Sequence, residues 1–218
     1  MSDKLHIYEG EAIRVTWDKD RCIHFAACVR GMPRVFDPGN RPWVLPENGP
    51  AERIAATVQQ CPTGALHYER RDGGPAEEPD SENSLRVTRN GPLFIRGQLE
   101  LTEPDGGVRL ETRLALCRCG ASAHKPLCDG SHSRTGFHDE SVRVPDAQLQ
   151  ARPTEVSGPL RIEPLPDGPL LLRGTIRVLD ATGTEAGTAT RAVFCRCGHS
   201  GTKPFCDGSH ARTGFRSA

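Results

Sequence analysis

The sequence predicts an α+β protein in which strands dominate, with a small N-terminal domain followed by a β-rich half built twice. Three observations predict it. A single helical pattern is convincing, Ala51 to Gln60. Runs of β-formers flank turn signals in the second half. That half also repeats itself, with matching segments 78 positions apart in a chain of 218 residues. The 23 glycines and 18 prolines, against 5 % aromatic residues, mark a turn-rich chain with a modest core.

Residues 1–71 read as the separate small domain. Pro50 opens its helix and Cys61-Pro62 ends it. Residues 72–84 are polar and rich in Gly and Pro, and read as a linker. Two repeat units follow, 85–140 and 141–218. In the first, Leu93 to Leu101 and Val108 to Leu116 flank Pro104-Asp105-Gly106-Gly107, a hairpin signal. Leu170 to Leu179 and Thr188 to Phe194 repeat that arrangement. The stretch Gly91 to Gly97 recurs only 77 positions later as Gly168 to Gly174, so the second copy carries one extra residue, placed in the loop around Asp180 to Gly187. Two copies are too few for a solenoid and point to two similar units packed about a pseudo-twofold axis.

Charge excludes several functions. Lys plus Arg number 28 and Asp plus Glu 28, so the chain has no cationic field to draw nucleic acid or anionic lipid. No apolar run is long enough for a membrane helix. Met1 to Gly10 carries acids and lacks the apolar stretch of a signal or transit peptide, so a cytoplasmic location is expected. In that compartment disulfides are disfavoured, and nine clustered cysteines point to metal. No G-x-S-x-G, Walker loop or G-x-G-x-x-G fingerprint is present, so no catalytic apparatus is expected.

From Cys117 the chain reads C-x-C-x2-S-x3-P-x-C-D-G-S-H, and the same string starts again at Cys195. Each copy offers three thiols and one imidazole: Cys117, Cys119, Cys128 and His132, then Cys195, Cys197, Cys206 and His210. Alternation along an extended segment puts the first two thiols on one side. Four-residue spacing on a helical turn brings the third thiol and the histidine together. Gly130 lets backbone approach an inorganic centre, and Asp129 or Ser131 can cap the turn. Spacing alone leaves two readings open, a Cys3His zinc site and an iron–sulfur cluster.

Both strings resemble the CDGSH iron–sulfur domain (NEET) family, whose name spells Cys128-Asp129-Gly130-Ser131-His132 and Cys206-Asp207-Gly208-Ser209-His210. The resemblance covers roughly residues 85–218 and is to members with two motifs in one chain. It implies a NEET-like β-rich pseudo-dimer, hence a monomeric chain, with one [2Fe-2S] cluster on each set of four ligands. The spacing between the copies is longer than in compact tandem members, and the membrane anchor of some members is not expected here.

Three cysteines remain. Cys22-Ile23-His24-Phe25-Ala26-Ala27-Cys28 has the spacing of a ferredoxin loop with Phe25 in place of the middle Cys, and Cys61-Pro62 looks like the distant Cys-Pro ligand. With Val35-Phe36-Asp37 and Pro42-Trp43-Val44, residues 10–70 resemble the divergent single-cluster 4Fe-4S ferredoxin family. The resemblance implies a ferredoxin-like domain with a [3Fe-4S] cluster, or a [4Fe-4S] cluster whose fourth iron takes a ligand other than Cys, with His24 a candidate. A small zinc site or free buried thiols is the plainer alternative.

The two copies also offer an internal comparison. Ser122/Ser200, Asp129/Asp207, Lys125/Lys203 and Arg118/Arg196 occur in both. The serines are candidate donors to cluster sulfur and the cations candidate charge partners, against turn chemistry and solvated surface as the plainer roles. His124 and His199 have no counterpart across the copies and are not expected to ligate. His6, His67 and His138 read as surface histidines. The sum is a multi-cluster electron carrier served by redox partner proteins. Cluster storage or delivery to apo acceptors competes with it, as does a zinc-stabilised interaction module.

Overall fold

The structure, a computed structural model, describes residues 5–140, 144, 149 and 158–217. The chain divides into two compact units, Met1–Glu78 and Pro79–Ala218, and each has its own hydrophobic core. The expected junction of the two repeat units, at 140/141, lies where the described residues break off, since 141–143 are outside them.

In the first unit, strands β1 (Leu5–Tyr8), β2 (Ile13–Asp18) and β3 (Leu66–Arg70) form an antiparallel sheet in the order β1-β2-β3. Period-two alternation buries Ile13 and Val15 on β2 and Leu66 and Tyr68 on β3. A five-residue helix, α1 (Ala27–Gly31), follows the cysteine loop. Helix α2 (Ala51–Gln59) lays Ile54, Ala55 and Val58 into the same core, a 3–4 spacing that gives one apolar face. Pro50 stands in extended conformation at its start, and the Gln60 N–H closes its end on the Thr57 and Val58 carbonyls. Between α1 and α2, Phe36 pairs with Val44 and the Asp37 N–H donates to the Trp43 carbonyl at 2.8 Å. This turn delivers Trp43 edge-on to Trp17, ring centres 5.0 Å apart.

The polar stretch 72–84 is tied down on both sides of the division. Asp72 pairs with Arg70 at 2.7 Å, and Glu77 accepts the Tyr68 N–H at 3.1 Å. Beyond the division Asp80 pairs with Arg96 at 2.8 Å, and Ser84 already opens a strand.

The second unit is a six-stranded sheet of β4 (Ser84–Val87), β5 (Leu93–Thr102), β6 (Val108–Leu116), β7 (Leu160–Pro164), β8 (Leu170–Leu179) and β9 (Glu185–Phe194). Hairpins β5–β6 and β8–β9 are the two copies of one motif. The short strands β4 and β7 interlock them. β4 runs antiparallel to the first half of β5 and parallel to the far half of β8. β7 runs antiparallel to the first half of β8 and parallel to the far half of β5. Each long strand therefore serves its own copy and then the other, and the change-over falls at a glycine. Gly97 has φ +131 and Gly174 φ +120, with the register shifting between Arg96 and Leu99 and between Arg173 and Ile176. A Cβ on Gly97 would stand 2.3 Å from Asn83 Oδ1, whose side chain also accepts the Gln98 N–H. This explains the glycine that ends both copies of Gly-Pro-Leu-x-x-Arg-Gly.

The resulting core belongs to both copies: Leu85, Leu93, Ile95 and Leu99 pack in one cluster with Leu160, Leu170, Leu172 and Ile176. The extra residue of the second copy sits as a bulge around Ala186, where Val178 pairs with Gly187 and Leu179 with Glu185. Among the described residues no helix is long and apolar enough to cross a membrane.

Candidate metal centres

Each copy builds its cysteine loop on the end of a hairpin. β6 runs out at Leu116, and the chain folds back so that the Cys117 N–H donates to the Pro126 carbonyl (2.9 Å) and the Cys128 N–H to the Ala115 carbonyl (2.8 Å). β9 does the same, with Cys195 to Pro204 at 2.8 Å and Cys206 to Val193 at 3.0 Å. The fold-back sets the third thiol beside the first two. Ser122, buried, locks it by donating to the Leu127 carbonyl at 2.7 Å and accepting the His124 N–H at 3.0 Å. Ser200 donates to the Phe205 carbonyl at 2.6 Å and accepts the Thr202 N–H at 3.1 Å. The serines thus hold the loop through its backbone.

Asp129 and Asp207 staple the loop to the turn that follows. Asp129 accepts the Ala123 N–H through one carboxylate oxygen and the Ser131 N–H through the other, both at 2.9 Å. Asp207 accepts from Gly201 (2.8 Å) and Ser209 (2.9 Å). Burial alone would raise the Asp129 pKa, but these amides and the Ser131 hydroxyl hold it down at about 2. The Gly201 amide, followed by the Ser209 hydroxyl and amide, holds Asp207 below the ordinary carboxylate range.

The donors come in pairs. Cys117 Sγ lies 3.7 Å from Cys119 Sγ, and Cys195 Sγ 3.6 Å from Cys197 Sγ. Cys128 Sγ lies 3.3 Å from His132 Nδ1, and Cys206 Sγ 3.5 Å from His210 Nδ1. The intervening residues Arg118 and Arg196 point the opposite way, as the alternation requires. The third cysteine precedes the helical turn instead of lying on it: the turn begins at Ser131 in one copy, and α3 (Ser209–Arg212) begins at Ser209 in the other. A left-handed glycine, Gly130 or Gly208, brings Cys and His together and turns its own N–H to the Cys sulfur at 3.4 Å. The ring nitrogen aimed inward is Nδ1, and both histidines are half-exposed.

The thiols are poised for a cation. Cys117 is drawn down to about 6 by its hydrogen bond with Cys119, and Cys119 is pushed up by the same bond. Burial pushes Cys128 up to about 12, Cys197 up to about 11, and Cys206 upward. Several thiols in so small a space resist losing their protons together, and a bound metal supplies the driving force.

The two loops meet. Cys119 and Cys197 form an antiparallel backbone bridge. Gly120 (φ +80) and Gly198 (φ +84) flank it, and a Cβ on either would stand 2.5 Å from the Cys197 carbonyl oxygen or 2.7 Å from that of Cys119. Arg118 is 2 % and Arg196 3 % exposed. Arg118 donates to the Gly91 (2.8 Å) and Thr88 (2.6 Å) carbonyls and pairs with Asp139. Arg196 donates to the Gly168 (2.9 Å) and Leu165 (2.6 Å) carbonyls. Each guanidinium also feels the first thiol of the other copy, Arg118 that of Cys195 and Arg196 that of Cys117. Lys203 donates to the Ser200 carbonyl at 2.6 Å, whereas Lys125 lies over the Phe215 ring of the other copy at 5.9 Å.

In the first unit Cys22, Cys28 and Cys61 line one recess, together with Phe25, Trp17 and Trp43. The loop between the first two cysteines turns through left-handed residues, His24 (φ 56) and Ala26 (φ 63). Burial, followed by the charges of Cys61 and Cys22, pushes Cys28 up to about 11. His24 is exposed and does not line the recess, so the structure does not bring this candidate to the three thiols. Of the other histidines, His6 stacks on Trp17, His67 Nδ1 lies 3.1 Å from Glu77, and His199 Nδ1 lies 2.8 Å from the Cys197 carbonyl oxygen.

Three thiol-rich nests on a scaffold of short strands define a metal-binding protein, and comparison with known proteins gives the family as an iron–sulfur one. Residues 8–71 match the family described as divergent 4Fe-4S mono-cluster, and residues 90–133 and 167–211 each match iron-binding zinc finger CDGSH type. The chain belongs to these families: a divergent 4Fe-4S mono-cluster domain followed by two CDGSH domains in tandem. Its first unit is 33 % identical over 64 residues to Uncharacterized protein YjdI of Escherichia coli (strain K12), covering 29 % of this chain and 84 % of that protein. The same figures hold for YjdI of Escherichia coli O157:H7. No solved structure matches the chain.

Proposed function

We propose that this protein is a multi-cluster electron carrier rather than an enzyme. It would hold one [2Fe-2S] cluster on Cys117, Cys119, Cys128 and His132, and a second on Cys195, Cys197, Cys206 and His210. Cys22, Cys28 and Cys61 would hold a [3Fe-4S] or [4Fe-4S] cluster in a ferredoxin-like N-terminal domain. The observation that carries this reading is the pairing of donors. A single tetrahedral ion, bound at about 2.3 Å to sulfur, needs all its donors roughly 3.8 Å or less from one another. Here two sulfurs 3.7 Å apart form one pair and a sulfur and a nitrogen 3.3 Å apart form another. Among the described residues no three such side chains converge on one point. Two pairs suit two irons, two ligands each.

The ligand set has consequences. A [2Fe-2S]2+ unit with three thiolates and a neutral imidazole carries one negative charge, against two with four thiolates. It is therefore easier to reduce than an all-Cys centre, and two-His Rieske centres lie further along the same trend. A lower-potential first site and two higher-potential sites on one chain suit relay from a donor to an acceptor protein, with the chain working as a monomer in the cytoplasm. Iron and acid-labile sulfide counts with EPR on anaerobically purified protein test the reading. Visible charge-transfer bands and two classes of signal are expected. A colourless protein holding zinc without sulfide overturns it.

One observation favours a second reading, delivery of [2Fe-2S] units to apo acceptors. The only neutral ligand in each set is half-exposed, so its release opens the site from the solvent side. Transfer to an apo-ferredoxin without added iron, faster than any electron exchange with that partner, would establish delivery over carriage.

A further inference from the structure

Every buried polar group needs a partner, and an indole N–H left without an acceptor is costly. Trp17 Nε1–H, on β2, is such a group: it is buried and makes no hydrogen bond. Trp17 also lines the recess shared by Cys22, Cys28 and Cys61. Its ring is fixed from both sides, stacked on His6 at 5.2 Å and edge-on to Trp43 at 5.0 Å, so it cannot swing to solvent without breaking both contacts. The acceptors a filled recess would add are thiolate and sulfide sulfurs.

We propose that the Trp17 indole N–H donates a hydrogen bond to a sulfur of the cluster held by Cys22, Cys28 and Cys61, and so sets that cluster's potential. The inference rests on the reading of this recess as a cluster site. Trp17 is a positioning residue with an electrostatic effect, because it carries no ligand atom. Hydrogen bonds to cluster sulfur stabilise the more negative, reduced state and raise the potential. The same bond satisfies the one buried donor that the folded chain leaves open on β2.

The experiment uses the full-length protein, reconstituted anaerobically. Trp17 and Trp43 are its only two tryptophans, so a 15N-indole spectrum contains two signals, and Trp17→Phe identifies one by deleting it. On cluster loading of the parent, the Trp17 N–H signal should acquire a hyperfine shift and slowed solvent exchange. EPR-monitored titration of Trp17→Phe should then show the first-unit cluster moved to a more negative midpoint, with the two [2Fe-2S] midpoints unmoved. A loaded Trp17→Phe protein with the parent's midpoint overturns the proposal. If Trp17→Phe fails to hold its cluster, the parent decides: a Trp17 signal that stays diamagnetic and exchanges freely beside a loaded cluster overturns the proposal. Iron and sulfide counts that leave no cluster for the first unit of the parent would overturn the reading of the site itself, and this proposal with it.

Discussion

Replacing Arg118 by Met keeps an unbranched apolar stem and removes the guanidinium with its charge. In the parent the guanidinium is 2 % exposed, satisfies the Gly91 and Thr88 carbonyls, and pairs with Asp139, whose side chain is 13 % exposed. Methionine takes the donor from the buried Gly91 carbonyl, leaves the Thr88 carbonyl with only the Gly91 N–H at 3.4 Å, and removes the guanidinium from Asp139. Breaking a buried ion pair by removing one partner costs about 3–5 kcal/mol, and each lost hydrogen bond to a charged group about 1.5–3 kcal/mol. The two figures overlap, so the expected loss for Arg118→Met is about 4 kcal/mol. Arg196 satisfies two carbonyls, and Asp167 acts on it only at longer range, so Arg196→Met should cost less, about 2–3 kcal/mol. Guanidinium titration followed by far-UV CD reads both units together, and the second unit is what remains once the first is followed by its tryptophans. Fluorescence of Trp17 and Trp43 reads the first unit separately and should not move. A loss below about 1 kcal/mol for Arg118→Met, or equal losses for the two variants, would refute the account of the buried guanidinium as a strut between the ligand loop and the Thr88–Gly91 turn.

Three further outcomes follow from the same geometry. Gly120→Ala should deplete iron from both CDGSH sites, because its Cβ meets the Cys197 carbonyl at 2.5 Å; Gly136→Ala, with φ +65 and open space around it, should cost only the left-handed strain of about 1–2 kcal/mol and leave iron content unchanged. Asp129→Ala removes the acceptor for two loop amides and should cost about 1 kcal/mol near neutral pH. Because the folded pKa of about 2 lies below the unfolded value near 3.9, the parent's advantage is complete above about pH 4 and fades as pH falls toward 2, which urea titrations across that range will show. His132 must be neutral to ligate; burial holds its pKa below the ordinary value, which favours that form, yet further acidification still releases it. His132→Cys should therefore slow bleaching of the visible bands at pH 5–6, and identical decay of variant and parent would count against histidine as the acid-sensitive ligand.

What was legible in the sequence was what repeats or what chemistry constrains. The cysteine strings, the helix at Ala51 and the two hairpins all rest on local patterns: ligand spacing, a 3–4 apolar period, and β-formers around a turn. The short strands β4 and β7 were not legible. Ser84–Val87 is four residues long, and its partners are Leu93–Arg96 nearby and Arg177–Leu179 in the other copy, so its identity comes from non-local pairing. β1 was hidden for a different reason: Leu5 and Ile7 are each 54 % exposed on an edge strand, so its pattern signals no core face. Within the motifs, Cys128 and His132 do meet, but through a left-handed glycine where four-residue spacing suggested a continuous helical turn. The serines suggested as donors to cluster sulfur bind loop carbonyls, a role the sequence could have signalled, since Ser two residues before a backbone N–H is a common turn former.

The two copies also show which parts of the site physics holds fixed. In the first, Asn90 and Asp139 clasp the chain ends beside Arg118: the Asp139 N–H donates to Asn90 Oδ1 at 2.8 Å, and the acid of Asp139 faces the guanidinium. In the second, the corresponding clasp is Asp167 with Ser217. The Ser217 N–H donates to Asp167 Oδ1 at 2.8 Å, and the acid now lies on the opposite side of the contact. The buried arginine, its two carbonyl acceptors and an aromatic ring over it, Phe137 or Phe215, are the same in both. The carboxylate differs: Asp139 pairs directly with Arg118, whereas Asp167 acts on Arg196 at longer range. A carboxylate acts over several ångströms and can be supplied from either strand of the clasp, whereas the guanidinium's hydrogen bonds are directional and admit one geometry. The arginine is therefore the constrained element. It holds the Cys-x-Cys segment against the turn opposite while setting one buried positive charge near thiols of both copies, and that placement offsets the charge an anionic cluster would bring.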